Sequence, residues 1–196
     1  MVEAPRIGSL DGYRSAFAGL EPHGLRVTSV PHLAQINLRG AMRDLATPVA
    51  EVCGMLSLAP AVNTATTNRT WHSLVLGPDE WLLVGPVGVE TQTVAAMTAK
   101  LAGQHASVVD VTANRVALDI SGPAAPALFA SLTSFDLATL TPGRCAQTML
   151  AKAQVVLQAG PDPDSIRVFV RNSFARYLAD VMIDAAPLLG VSATTS

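Results

Sequence analysis

Two seven-residue stretches lying 82 positions apart have one pattern. Ala34-Gln35-Ile36-Asn37-Leu38-Arg39-Gly40 alternates apolar with polar residues and stops at glycine, and so does Val116-Ala117-Leu118-Asp119-Ile120-Ser121-Gly122. Such alternation marks a half-buried strand. A helical spacing follows each stretch: Met42, Leu45, Val49, Val52 and Leu56 in the first, Ala125, Leu128 and Leu132 in the second. Pro123 fits a first helical position, where a missing N–H costs nothing, and Thr47-Pro48 reads as a second start or a kink.

The repeat continues. Residues 73–76 and 81–84 flank the turn Gly77-Pro78-Asp79-Glu80, and residues 154–157 and 166–170 flank a longer loop holding Gly160-Pro161-Asp162. Each hairpin leads into a helical stripe: Val94, Met97 and Leu101 in the first half, Phe174, Leu178, Val181 and Ala185 in the second, the latter ending near Pro187. Residues 108–111 add a last strand to the first half. The order strand, helix, strand, strand, helix, strand is ferredoxin-like. The second half lacks a closing strand, and Leu25-Arg26-Val27-Thr28-Ser29-Val30 is a strand with no partner, so it is expected to fill the vacancy. The expected fold class is α+β, with two ferredoxin-like βαββαβ-type lobes in one body, at about 34–111 and 115–190. Residues 1–24 form an arm with a short helix, strand 25–30 crosses over within a body spanning 25–190, and 191–196 are a tail. No Gly/Ser-rich or charged linker separates the lobes.

Composition limits the partners. Hydrophobic residues make up 49% of the chain, which excludes a disordered polymer. Thirteen Lys plus Arg against fifteen Asp plus Glu give a net charge of −2, with no basic field for nucleic acid. Charged residues are only 14%, below the usual quarter, which points to surfaces buried in interfaces. Eleven of the cations are Arg, suited to planar, partly desolvated contacts with carboxylates. With no apolar run of about 18 residues and no secretory start, the expected location is cytoplasmic, off the membrane.

No catalytic, cofactor-binding or metal-binding residue is expected. His23, His32, His72 and His105 are scattered without ligand spacing, and Cys53 and Cys145 are neither a disulfide framework nor a metal pair but small buried hydrophobes. Phosphate-loop and nucleophile-elbow motifs are absent. Ser121-Gly122-Pro123 reads as a tight strand-to-helix turn. Asp162 and Asp164 read as a solvated loop rather than a carboxylate pair. Trp71 and Trp81 read as core caps across a hairpin rather than a stacking platform.

The most pointed segment is residues 171–180. Arg176 and Asp180, one helical turn apart with Asp184 extending the row, can form a surface pair worth about 0.3 kcal/mol. Alternatively, Arg171, Ser173, Phe174, Arg176 and Tyr177 form a subunit-anchoring patch, since Arg and Tyr are typical interface anchors. Both readings fit the sequence.

Val109-Asp110-Val111-Thr112, Leu118-Asp119-Ile120-Ser121-Gly122-Pro123 and Leu140-Thr141-Pro142-Gly143 together resemble the folate-binding domain of the glycine-cleavage aminomethyltransferases. Arg171-Asn172-Ser173-Phe174-Ala175-Arg176-Tyr177-Leu178 looks like the Arg-Ser-Phe-Ala-x-Tyr-Leu signature of one branch, the gamma subunits of heterotetrameric sarcosine oxidase, with Asn172 inserted or substituted beside the serine. The likeness runs from about Leu25 to Gly190. It implies a folate-domain fold and a non-catalytic structural subunit of an oxidoreductase that demethylates sarcosine to glycine. The other products are hydrogen peroxide and formaldehyde or methylenetetrahydrofolate. The implied partners are alpha, beta and delta subunits. FAD, FMN, NAD, tetrahydrofolate and zinc are implied in those partners and none in this chain. The alternative is a stand-alone folate-binding one-carbon transfer protein or iron–sulfur assembly factor. The first would need a further C-terminal portion, and the Lys-Gly-Cys-Tyr-x-Gly-Gln-Glu motif of the second is absent.

Overall fold

The computed structural model of the chain describes residues 8–30, 32–54, 56–160 and 165–189. The calls on Asp162, Asp164, Gly190, residues 191–196 and the first seven residues of the arm lie outside these. In chain order the elements are α1 (Arg14–Ala18), β1 (Arg26–Val30), β2 (Ala34–Gly40), α2 (Met42–Val52), β3 (Ala65–Thr67), β4 (His72–Gly77), β5 (Glu80–Gly85), α3 (Glu90–Lys100), β6 (Ala106–Asp110), β7 (Arg115–Ser121), α4 (Ala125–Leu132), β8 (Cys145–Leu150), β9 (Ala153–Ala159), β10 (Ile166–Arg171) and α5 (Asn172–Ala185). No described helix is long and apolar enough to cross a membrane.

The described residues fall into two compact units. One contains 8–30, 115–139 and 148–189, and the other 32–114 with 140–147. The sheet of the second runs β3-β4-β5-β2-β6. Its central pairs are antiparallel, Ile36 opposite Leu83 and Leu38 opposite Val108. The core is Ile36, Leu38, Leu45, Val49, Leu83 and Met97 with both tryptophans. The tryptophans are therefore core residues. Trp81 Nε1 donates to the Ala59 carbonyl at 3.2 Å, and the Trp71 ring lies where a side chain at Gly85 would be, 2.4 Å from an ideal Cβ. The helix over this sheet starts at Met42 and runs through Pro48, so that proline is an interior residue without an N–H rather than a start.

The other sheet runs β1-β7-β10-β9-β8. Strand β1 pairs antiparallel with β7, Val27 opposite Ile120 and Ser29 opposite Leu118. The N-terminal strand thus takes the edge that β6 takes in the other sheet, and the ferredoxin-like order is complete in both. Strands β3 and β8 extend the two sheets at corresponding ends, an addition to the expected plan. Gly122 turns the chain from β7 toward α4 at φ 109°, and any Cβ there would meet the Gly24 carbonyl oxygen at 2.4 Å. Ala124 N–H donates to that same carbonyl at 3.0 Å, fixing the residue pair before β1 to the end of β7. Pro123 lies in this turn, and α4 begins two residues later with Pro126 in its first turn.

The buried face of α5 is Ala175, Leu178, Ala179 and Met182. The expected stripe through Phe174, Val181 and Ala185 is corrected: Phe174 is 41% exposed, and Val181 and Ala185 are only half-buried. Two alanines one turn apart let the helix lie close to its sheet, and the bulky Phe174 is turned out.

Candidate subunit interface

Strand β10 delivers the chain directly into α5, so Arg171 at the strand end and Ser173 and Phe174 in the first helical turn emerge together, all exposed. Tyr177, three residues after Phe174, lies beside it on the helix surface. The two rings meet edge-on, centroids 6.3 Å apart at 86°. The edge-to-face contact holds the exposed Phe174 ring against the half-buried Tyr177, a preformed aromatic ridge on the outer side of the helix. Arg171, Ser173, Phe174 and Tyr177 are thus brought together at one end of α5.

Arg176 has a different occupation. Its Nε donates to the Ser9 carbonyl at 3.1 Å. Asp180 accepts the Tyr13 hydroxyl at 2.8 Å. The expected Arg176–Asp180 ion pair is therefore replaced by two tethers to the segment around α1. The hydrogen bond to Asp180 pushes the Tyr13 phenol above its ordinary pKa, because the carboxylate holds the hydroxyl proton. Tyr13 was not legible as a contact residue, since no local pattern joins positions 167 apart. The register of β7 against β10 sets Arg115 opposite Arg171, a pairing that no local pattern reveals.

The acidic residues of the folate-domain-like motifs have structural duties. Asp110 Oδ1 accepts the Thr112 N–H at 2.9 Å, and Thr112 Oγ1 accepts the Gln35 N–H at 3.0 Å, closing the end of the β2–β6 pair. Asp119 takes both prongs of the Arg167 guanidinium at 2.8 Å. Thr141 accepts the Arg144 N–H in a turn, and the Gly143 carbonyl accepts the Ala65 N–H at 2.8 Å.

The thiols are withdrawn from chemistry. Cys53 is completely buried, and burial pushes its pKa up to about 12. Burial takes Cys145 to about 11, partly offset by a backbone hydrogen bond at Val75 and the nearby Arg144 charge. Neither has a thiolate at neutral pH, and the thiolate is the nucleophile and metal ligand. Among the described residues no three His, Cys, Asp or Glu side chains gather as a metal-binding group.

The family model for the sarcosine oxidase gamma subunit family matches residues 39–187. The chain is 29% identical over 194 residues to a sarcosine oxidase subunit gamma of Arthrobacter sp, covering 85% of this chain and 95% of that one. It is likewise 29% identical over 190 residues to that of Corynebacterium sp. (strain P-1), covering 85% and 92%. In fold it matches a chain of the heterotetrameric sarcosine oxidase from Corynebacterium sp. U-96 with a TM-score of 0.82 at 24% identity, over 97% of this chain and 99% of that one. It also matches the glycine cleavage system aminomethyltransferase T from Bartonella henselae with a TM-score of 0.64 at 15% identity, over 87% of this chain but 49% of that one. The fold is accordingly the α+β folate-binding-domain-like one. With the family model spanning residues 39–187, the chain belongs to the sarcosine oxidase gamma subunit family.

Proposed function

We propose that this chain is a non-catalytic structural subunit of a cytoplasmic heterotetrameric sarcosine oxidase, and that it docks onto its alpha, beta and delta neighbours through Arg171, Ser173, Phe174, Arg176 and Tyr177. In this reading Arg176 acts as a positioning residue that ties the Ser9 segment beside the patch. FAD, FMN, NAD, tetrahydrofolate and zinc belong to the neighbouring subunits. The reaction served is oxidative demethylation of sarcosine to glycine, with hydrogen peroxide and formaldehyde or methylenetetrahydrofolate as the other products.

The observation that carries the reading is the exposed Phe174 ring set edge-on against the half-buried Tyr177, on a helix whose opposite side is fully buried. An aromatic turned to water within a family-matched segment gains by burial on another chain, at about 25 cal/mol per Å² of apolar surface. Protonated, buried cysteines agree with a scaffold role.

The test is co-expression with the large subunits of a sarcosine oxidase, reading how much of this chain stays with them through purification. Phe174→Ala is expected to weaken retention by about thirtyfold, the effect of losing an anchor worth about 2 kcal/mol. Tight tetrahydrofolate binding, or oxidation of any amine by the purified chain alone, would overturn the proposal.

A further inference from the structure

The two edge strands that complete the ferredoxin-like order, β1 and β6, differ in how their outer edges are kept. Strand β1 carries the exposed Arg26, and α1 lies alongside it with Phe17 buried. Strand β6 reads Ala-Ser-Val-Val-Asp, with no Lys, Arg, Pro or bulge, the devices by which an edge normally refuses another strand. Its one charge, Asp110, has Oδ1 engaged by the Thr112 N–H. Val109 is 47% exposed, and Ser107 and Asp110 are exposed with it.

The hydrogen-bond register fixes which backbone groups face outward. Val111 N–H donates to the Gln35 carbonyl at 2.8 Å, one step beyond the Ile36–Asp110 pair. Bonded and non-bonded pairs alternate along an antiparallel ladder. Asn37–Val109 and Arg39–Ser107 are therefore the bonded pairs, and the N–H and C=O groups of Val108 and Asp110 point away from β2. Among the described residues no other backbone group bonds to them. Val108 keeps its side chain against the core, so the strand is held in place while this edge stays open.

Donors and acceptors at every second residue, about 7 Å apart, match an extended backbone and neither a helix nor a single side chain. The exposed Val109 favours an apolar or β-branched residue beside it, and Asp110 disfavours a carboxylate opposite it. We infer that β6 accepts an extended segment of a neighbouring subunit, apolar where it meets Val109 and free of acid opposite Asp110, as a sixth strand of the sheet β3-β4-β5-β2-β6. The inference rests on the docking reading given above, and it adds a second surface, built of backbone hydrogen bonds, to the side-chain patch of α5. A chain with only 14% charged residues suits the burial of such an edge.

The experiment compares amide exchange over residues 106–110 in the isolated chain and in the complex co-expressed with the large subunits of a sarcosine oxidase. Strand addition is expected to slow the Val108 and Asp110 amides by at least about tenfold, and those of Ser107 and Val109, already bonded to β2, by less. Val109→Lys and Val108→Pro are each expected to weaken retention by about tenfold: the first puts a charge on the edge, and the second removes an outward N–H without touching a bond to β2. Should Val108→Pro lower the Tm of the isolated chain, Val109→Lys, at an exposed position, decides. Unchanged exchange of both amides in the complex, or retention of Val109→Lys equal to the parent chain, overturns the inference. Where Phe174→Ala still weakens retention in that case, the docking reading stands alone. A chain that does not stay with the large subunits at all overturns both. Slow exchange already present in the isolated chain, with a doubled mass, assigns the edge to a second copy and also overturns the inference.

Discussion

Arg167 and Asp119 face each other across the β7–β10 ladder and close a two-pronged ion pair, Nε to Oδ1 and Nη2 to Oδ2, both at 2.8 Å. The side chains are only 11% and 20% exposed, so removing one strands the other with little water. Asp119→Ala is expected to cost about 2 kcal/mol in a urea titration, below the range for fully buried pairs. Replacing both by apolar residues of similar volume recovers most of that loss. A double-mutant cycle should give a coupling of about 1 kcal/mol or more.

Gly85 lies under the Trp71 ring with no space for a methyl group. Gly85→Ala must push a buried indole off its packing, at about 1–3 kcal/mol. The accompanying sign is a change in tryptophan emission in the folded state, since Trp71 is one of only two tryptophans in the chain.

Ala151, in the two-residue connection from β8 to β9, has φ 49°. A side chain costs about 1–2 kcal/mol in this region, and glycine gives back part of the gain through its freer unfolded chain. Ala151→Gly is expected to raise stability by about 0.5–1 kcal/mol, read as a higher urea midpoint at constant slope.

The buried thiols set an alkaline limit. Their folded pKa values of about 12 and 11 lie above the ordinary value of 9, so the folded state keeps its protons where the unfolded state loses them. Their contribution is fully present below about pH 9 and is lost as pH rises toward 11 and 12. Tm should fall above pH 9, and Cys53→Ala with Cys145→Ala should flatten that fall. A thiol reagent at pH 8 should label neither cysteine until the chain is unfolded.

The tethers of α5 predict a local rather than a global effect. Tyr13→Phe and Arg176→Ala each remove one hydrogen bond between α5 and residues 8–18 on an exposed surface, a small loss in global stability. Faster amide exchange over residues 8–18, with the exchange of β7 and β10 unchanged, would show it.

The doubled ferredoxin-like order was legible because Ile36, Leu38, Leu118 and Ile120 alternate cleanly and each glycine ends its strand. The vacancy filled by β1 was legible from the count of elements. Strand β3 was not, being three residues long, and β8 was not, because Cys-Ala-Gln-Thr-Met-Leu has no period-two burial. The phase of α5 was misread because Phe174 has the size of a core residue, while Ala175 and Ala179 bury by being small. The clustering of Arg171, Ser173, Phe174 and Tyr177 at one end of α5 was legible from their closeness in sequence. The ties of Arg176 and Asp180 to Ser9 and Tyr13 were not, since they join positions that only the folded chain brings together.

The pairing of β1 with β7 also orders events during synthesis. Val27 leaves the ribosome long before its partner Ile120, so this strand waits with both edges open while residues 32–114 emerge. The sheet of β2 to β6 can assemble in that interval. Strand β1 thus has no partner until β7 is made, and a chaperone that shields an open strand edge would act on the nascent chain in that window.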